Sequence, residues 1–225
     1  MSERVVAVTG GHGVLGQAVV QAALDAGLKV AVIDHATGQT APDGVLEIGG
    51  VDLTDAAQAQ GAVDRVVAHF GRLDALLNIA GGFVWQTTDD ARPAWDRMFA
   101  LNLTTALNAS RAALVPLKAS PEGRIVNVGS AAALKAGMGM GAYAASKSAV
   151  HKLTESLAEE LKSTSVTVNA VLPSILDTAQ NRADMPDVDP AQWVAPADLA
   201  AVILFLASPA GRAMTGALVP VTGRV

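Results

Sequence analysis

Short β-branched apolar runs alternate along the chain with longer alanine-rich stretches whose apolar residues recur at helical spacing. The runs are VVAVT (5–9), KVAVID (29–34), LDALLNI (73–79), RIVNVG (124–129) and VTVNAVL (166–172), with a shorter one at 217–222. Between them the spacing predicts helices over 14–26, 54–70, 94–117, 142–163 and 197–207. The strand runs are almost continuously apolar, the pattern of a parallel sheet covered on both faces. Strand–helix repetition then predicts one α/β domain over 1–225, a doubly wound parallel sheet of about seven strands with helices on both faces. Segment 174–192 breaks the alternation. It is irregular and acidic, carries Pro186 and Pro190, and reads as a short lid.

Composition narrows the class. Of 225 residues, 51% are hydrophobic and 16% charged, which excludes a disordered chain. The net charge of −5 and the lack of any basic run argue against nucleic acid as a partner. Without cysteine there are no disulfides, no thiolate chemistry and no cysteine-ligated metal. The first run begins near Met1, leaving no room for a signal peptide, and the most apolar helical stretch, 199–207, is too short to cross a bilayer. The expectation is a soluble, cytoplasmic protein without a membrane partner. Its histidines, at 12, 35, 69 and 151, are scattered and form no metal site, and His69 and His151 read as exposed helix residues.

Between the first strand and the first helix lies Thr9-Gly10-Gly11-His12-Gly13-Val14-Leu15-Gly16. Gly11, Gly13 and Gly16 match G-x-G-x-x-G. Such a turn lets backbone approach a pyrophosphate closely and presents the free N–H groups of a helix start to the anion. The motif alone is weak, and a glycine-rich loop with no ligand is the alternative, but its strand-to-helix position strengthens it. Asp34 ends the second strand 18 residues past Gly16, where a carboxylate meets the ribose hydroxyls of adenosine and repels a 2′-phosphate. The cofactor expected is therefore NAD rather than NADP. A strand-end Asp capping a turn is the competing reading. Asp52 and Leu53 follow the third strand and could bracket the adenine.

Tyr143 is the only tyrosine, and Lys147, four residues on, shares its helical face. A phenol titrates near pH 10 and is a poor acid/base unless a neighbouring ammonium favours phenolate, so Lys147 is expected to lower it. Ser130 ends the fifth run and could deliver a hydroxyl to a substrate carbonyl. Singly, each residue also fits plain packing or a surface position. Jointly, downstream of a dinucleotide turn, they point to hydride transfer between a nicotinamide and a carbonyl or secondary alcohol.

TGGHGVLG (9–16), Asp34, DL (52–53), NIAGG (78–82), LNLT (101–104), VGS (128–130), YAASK (143–147) and LPSILDT (172–178) together resemble the short-chain dehydrogenase/reductase family over nearly the whole chain. The resemblance implies a Rossmann-like fold and an NAD(P)-dependent oxidoreductase. It implies that Tyr143 transfers the proton, Ser130 orients the carbonyl, Lys147 binds the nicotinamide ribose, and Asn102 holds a water in a proton relay. From residues alone Asn102 reads as a hydrogen-bonded core or helix-kink residue. The resemblance also places Gly10 to Gly16, Asn78, Ala80, Gly81, Pro173, Leu176 and Thr178 along the cofactor, the last two at the nicotinamide carboxamide.

Departures from the family pattern are specific. Val14 stands where compact members carry the middle glycine, a spacing that resembles extended members and dihydropteridine reductases. Ser174 replaces the glycine that follows the proline. The short lid implies an open cleft, bordered by Phe83, Val84, Trp85, Met138 and Met140, which suits a partly hydrophobic small molecule or, equally, a core or oligomer contact. Asp177, Asp184, Asp187 and Asp189 against Arg182 alone disfavour an acidic carrier. Helices 94–117 and 142–163 are expected to pair copies into a homodimer or homotetramer. Alternatives are a dihydropteridine-reductase-like or 3-oxoacyl reductase activity and a non-catalytic NAD sensor. Epimerase or dehydratase chemistry is disfavoured by the chain's length.

Overall fold

A computed structural model describes residues 4–39, 41–90 and 92–225; residues 1–3, 40 and 91, at the margins and inside the 1–225 range read from sequence, lie outside it. The elements run β1 (Val5–Thr9), α1 (Val14–Asp25), β2 (Lys29–Ile33), β3 (Leu46–Ile48), α2 (Ala56–Phe70), β4 (Ala75–Asn78), α3 (Arg92–Phe99), α4 (Thr105–Ala119), β5 (Arg124–Val128), α5 (Gly141–Glu160), β6 (Thr167–Pro173), α6 (Ala179–Asp184), α7 (Pro196–Ala207) and β7 (Leu218–Val221). All seven strands are parallel, in the order β3-β2-β1-β4-β5-β6-β7.

The apolar runs of the five central strands are buried on both faces because these strands feed two cores, whereas β7 at the edge is only half-buried. Val5 and Ala7 pack with residues of α2, α4 and α5, such as Val63, Ala113 and Leu157. Val6 and Val8 point the other way, toward Val19 of α1 and Ile203 of α7. At full burial each such side chain contributes roughly 1.5–3 kcal/mol. The chain reverses direction of winding between β1 and β4, which opens a crevice at the carboxyl ends of these strands.

Polar staples fix the opposite edge. Asp74, buried before β4, accepts hydrogen bonds from the Val5 N–H (2.9 Å), the Arg72 guanidinium (2.6 and 2.8 Å) and the Ser120 hydroxyl (2.6 Å). Burial by itself would raise its carboxyl, but these donors outweigh it and hold the group below the usual carboxylate value.

Two expectations need correction. The helix read over 94–117 is broken by a π-helical turn at Ala100–Thr104 between α3 and α4. The Thr105 hydroxyl donates to the Leu101 carbonyl (2.7 Å) within this widened turn. A one-residue insertion leaves the apolar period on either side intact, so spacing does not reveal it. Segment 174–192 is not irregular throughout: Thr178 caps α6 by accepting from the Asn181 N–H (3.1 Å), a 3₁₀ turn spans Pro190–Gln192, and Leu176 bridges to Val194.

Candidate active site

A cleft of about 730 Å³ runs across the carboxyl ends of β1, β2, β4 and β5. Gly10, Gly13, Val14, Leu15 and Gly16 line it where α1 begins. Gly13 is the N-cap, and no side chain caps this helix, so its first N–H groups are left for an anion. A Cβ at Gly16 would lie 2.1 Å from the Gly10 carbonyl oxygen, so only glycine lets the helix sit this close to the turn. Gly11 instead packs against Val32, beneath the cleft.

Asp34 and Asp52 line the far end of the cleft with Leu53. The Asp34 carboxylate accepts from the N–H groups of His12 (3.0 Å) and Ala36 (2.9 Å). Each oxygen keeps a lone pair for a further donor. Asp52 is held below the usual carboxylate value by hydrogen bonds from the Thr54 hydroxyl and N–H. The His12 ring turns toward Glu47, 2.9 Å away, and not into the cleft. Glu47 is a partner that sequence reasoning missed; only the pairing of β3 with β2 brings it there.

At the near end, Tyr143 and Lys147 of α5 line the same cleft as Ala80, Gly81, Gly82, Phe83, Val128 and Leu176. Ser130 is buried after β5, beside Tyr143. Its hydroxyl oxygen accepts from the Ala132 N–H at 3.1 Å. Burial pushes the Tyr143 phenol up, and the neighbouring Ser130 hydroxyl pulls it only partly back. This reverses the expectation that Lys147 lowers it. The reason is burial, which is the largest effect on the phenol; Lys147 is itself pushed down to about 8 by burial and donates to the Val128 carbonyl at 2.8 Å.

Asn102 sits in the π turn and ties the cleft floor together. Its amide donates to the Gly82 carbonyl (3.1 Å) and the Ser146 hydroxyl (2.9 Å), and its oxygen accepts from the Gly82 N–H (2.9 Å). A Cβ at Gly81 would stand 2.7 Å from Asn102 Oδ1 and 3.3 Å from Lys147 Nζ. The missing side chain therefore leaves space in which both polar groups converge.

Other candidates from the sequence fall outside the cleft lining. Asn78 donates to Ser110 (3.0 Å) and Asn127 (2.8 Å) in a buried network under the floor. Pro173 ends β6 in the core, and Thr178 serves as the α6 cap. Among the apolar mouth residues only Phe83 reaches the cleft, packing edge-on to Tyr143 with ring centroids 5.0 Å apart. Trp85 lies against Gly139, where a Cβ would come within 2.1 Å of its ring. Arg182 is paired with Asp177 (2.6 and 2.7 Å), leaving Asp184, Asp187 and Asp189 on the exposed lid. His151, expected on the surface, is buried, and its imidazole meets the Ser130 backbone. Among the described residues no cluster of His, Asp or Glu could hold a metal ion, and no helix is long and apolar enough to cross a membrane.

A dinucleotide fits this donor set. The uncapped helix start faces the cleft, two carboxylates flank one end, and a lysine and a tyrosine meet at the other. The sequence profile described as short chain dehydrogenase matches residues 4–189. The chain is 32% identical to a 2-(S)-hydroxypropyl-CoM dehydrogenase of Xanthobacter autotrophicus, over 99% of this chain and 96% of that one. It is 32% identical to a cyclohexanol dehydrogenase of Rhodococcus, over 98% and 95%. The solved structure of a NAD+-bound xylitol dehydrogenase superposes with a TM-score of 0.88 at 26% identity, covering 98% of both chains. The chain belongs to the short-chain dehydrogenase family and is one of its oxidoreductases.

Proposed function

We propose that this protein transfers hydride between NAD(H) and an uncharged, partly apolar ketone or secondary alcohol, with Tyr143 as proton donor and acceptor. The carrying observation is that Tyr143 and Lys147 line the cleft end opposite Asp34, with Ser130 buried beside Tyr143. The bound dinucleotide would supply the hydride to the carbonyl carbon, or receive it in oxidation.

In reduction the Ser130 hydroxyl and the Tyr143 phenol hold the substrate oxygen, and the phenol gives that oxygen its proton as the new C–H bond forms. Lys147 reaches toward the nicotinamide ribose beside Gly81, and with Asn102 supports return of the proton to Tyr143. Gly13 to Gly16 hold the pyrophosphate, Asp34 the adenosine ribose, and Leu176 borders the carboxamide. Asp34 selects NADH, because its carboxylate pairs with hydroxyls and repels a 2′-phosphate. Phe83 offers the substrate an apolar edge, whereas the acidic lid disfavours anionic substrates and acidic carriers. Pairing of copies through α4 and α5 belongs to the same reading.

A panel of cyclic and acyclic ketones and secondary alcohols, followed through nicotinamide absorbance with NADH and NADPH in parallel, tests it. Turnover of at least one uncharged pair with NADH preferred is expected. NADH binding with no turnover across the panel overturns the catalytic reading in favour of a dinucleotide sensor.

A further inference from the structure

His151 has no part in the chemistry just described, yet it lies directly behind Ser130. It stands at i+8 from Tyr143 and i+4 from Lys147, on the inward stripe of α5. Its side chain is buried, and Nε2 accepts a hydrogen bond from the Ser130 backbone N–H at 3.3 Å. A backbone N–H can only donate, so Nε2 must carry the lone pair and Nδ1 the proton. The ring packs so closely on the strand end that a Cβ at Gly129 would lie 2.5 Å from Nε2. Gly129 is thus the counterpart of this imidazole. On its other side the Gly129 N–H is fixed to the Val171 carbonyl at 2.9 Å.

We propose that His151 is a positioning residue: as a neutral imidazole it clamps the Gly129–Ser130 backbone and thereby aims the Ser130 hydroxyl at Tyr143 and the substrate oxygen. Ser130 leaves β5 in an extended conformation, its hydroxyl oxygen accepting from the Ala132 N–H at 3.1 Å beside Tyr143. Of these contacts, the bond to His151 is the one that fixes the Ser130 N–H. Burial, and next the Lys147 charge, push the imidazole below its ordinary value, which keeps the accepting form present. The proposal rests on the reading of Ser130 as part of the reacting cleft.

The test compares His151→Leu, which removes the acceptor, with His151→Gln, which restores one near the Nε2 position. Both are made in the wild-type and Ser130→Ala backgrounds. His151→Leu should lower kcat by about 10–100-fold, the loss expected of a misplaced catalytic group, with NADH affinity unmoved. His151→Gln should recover most of that loss. In the Ser130→Ala background His151→Leu should cost no more than about twofold, since the two changes act through one group. Equal damage from Gln and Leu, or the full cost of Leu without the serine hydroxyl, overturns the proposal. Independently of turnover, ¹⁵N spectra of the wild-type ring should show the Nδ1–H tautomer; the Nε2–H tautomer or a charged ring at neutral pH overturns it. Absence of any hydride transfer in the wild type defeats the reading of the cleft alone, and the tautomer still decides the clamp.

Discussion

The Lys147 ammonium donates to the Val128 carbonyl at 2.8 Å from a side chain that is almost entirely out of solvent. A charged amine is held in the protein interior for its position beside Gly81, at a cost to the fold. The drop from 10.5 to about 8 corresponds to about 3 kcal/mol of destabilisation at neutral pH. Loss of the bond to Val128 would offset about 1–2 kcal/mol of that.

Lys147→Met is therefore expected to raise Tm by several degrees at pH 7 while abolishing turnover. The sign with pH follows from linkage. A lysine lowered by folding destabilises the protein while it is charged in the unfolded state, and the penalty is relieved as pH rises from about 8 toward 10.5. The Tm gap between variant and wild type should shrink by pH 9.5. Calorimetry at the two pH values checks both statements.

In the proposed mechanism Tyr143 governs the pH dependence of the two reaction directions. Burial raises the phenol, so the proton-donating form is present throughout the neutral range. Ketone reduction should be flat at neutral pH and fall on the alkaline side, whereas alcohol oxidation, which needs the phenolate, should climb across the alkaline range. Profiles of kcat/KM in both directions test this; an oxidation rate already at its plateau at pH 6 runs against it.

Asp34, proposed to meet the adenosine ribose, sits at the cleft end opposite Tyr143 with both carboxylate oxygens aimed by backbone N–H groups. NADH should bind more tightly than NADPH by roughly tenfold or more, given the like charges brought together. Asp34→Ser should narrow or reverse that gap without lowering the rate at saturating cofactor. Titration of both cofactors by fluorescence reads it directly, and a wild-type preference for NADPH contradicts it.

Asp74 provides a control far from the chemistry. Replacing it by Ala removes one acceptor shared by Arg72, Ser120 and the Val5 N–H, at about 3 kcal/mol and about 6–12 °C in Tm. Because folding lowers this carboxyl from 3.8, its contribution is present above that pH and is lost as pH falls through the lowered value. Specific activity of the folded fraction should be unchanged.

The sheet and one end of the cleft were legible because they rest on local pattern. Buried parallel strands announce themselves as apolar runs, and the turn at 10–16 and the pair Tyr143/Lys147 are fixed by short spacings. What escaped depends on contacts distant in sequence or on a one-residue insertion. Glu47 meets His12 only through strand pairing, and the π turn at Asn102 leaves the helical period on either side unaltered. His151 carried a signal that went unused: residues 143, 147 and 151 repeat every four positions, so a stripe that brings Lys147 to the cleft also turns His151 inward. The spacing points to a lowered Tyr143 because it reports that a lysine is near, not how deeply the phenol is buried.

The most direct measurement is kcat/KM for ketone reduction by Tyr143→Phe, made beside its affinity for NADH. Phenylalanine keeps the ring that packs on Phe83 and removes only the hydroxyl. Loss of about 10²–10⁴-fold in kcat/KM, with NADH affinity held within about twofold, is the predicted result. A decline of at most a few-fold, with the cofactor still bound, would contradict proton transfer by Tyr143.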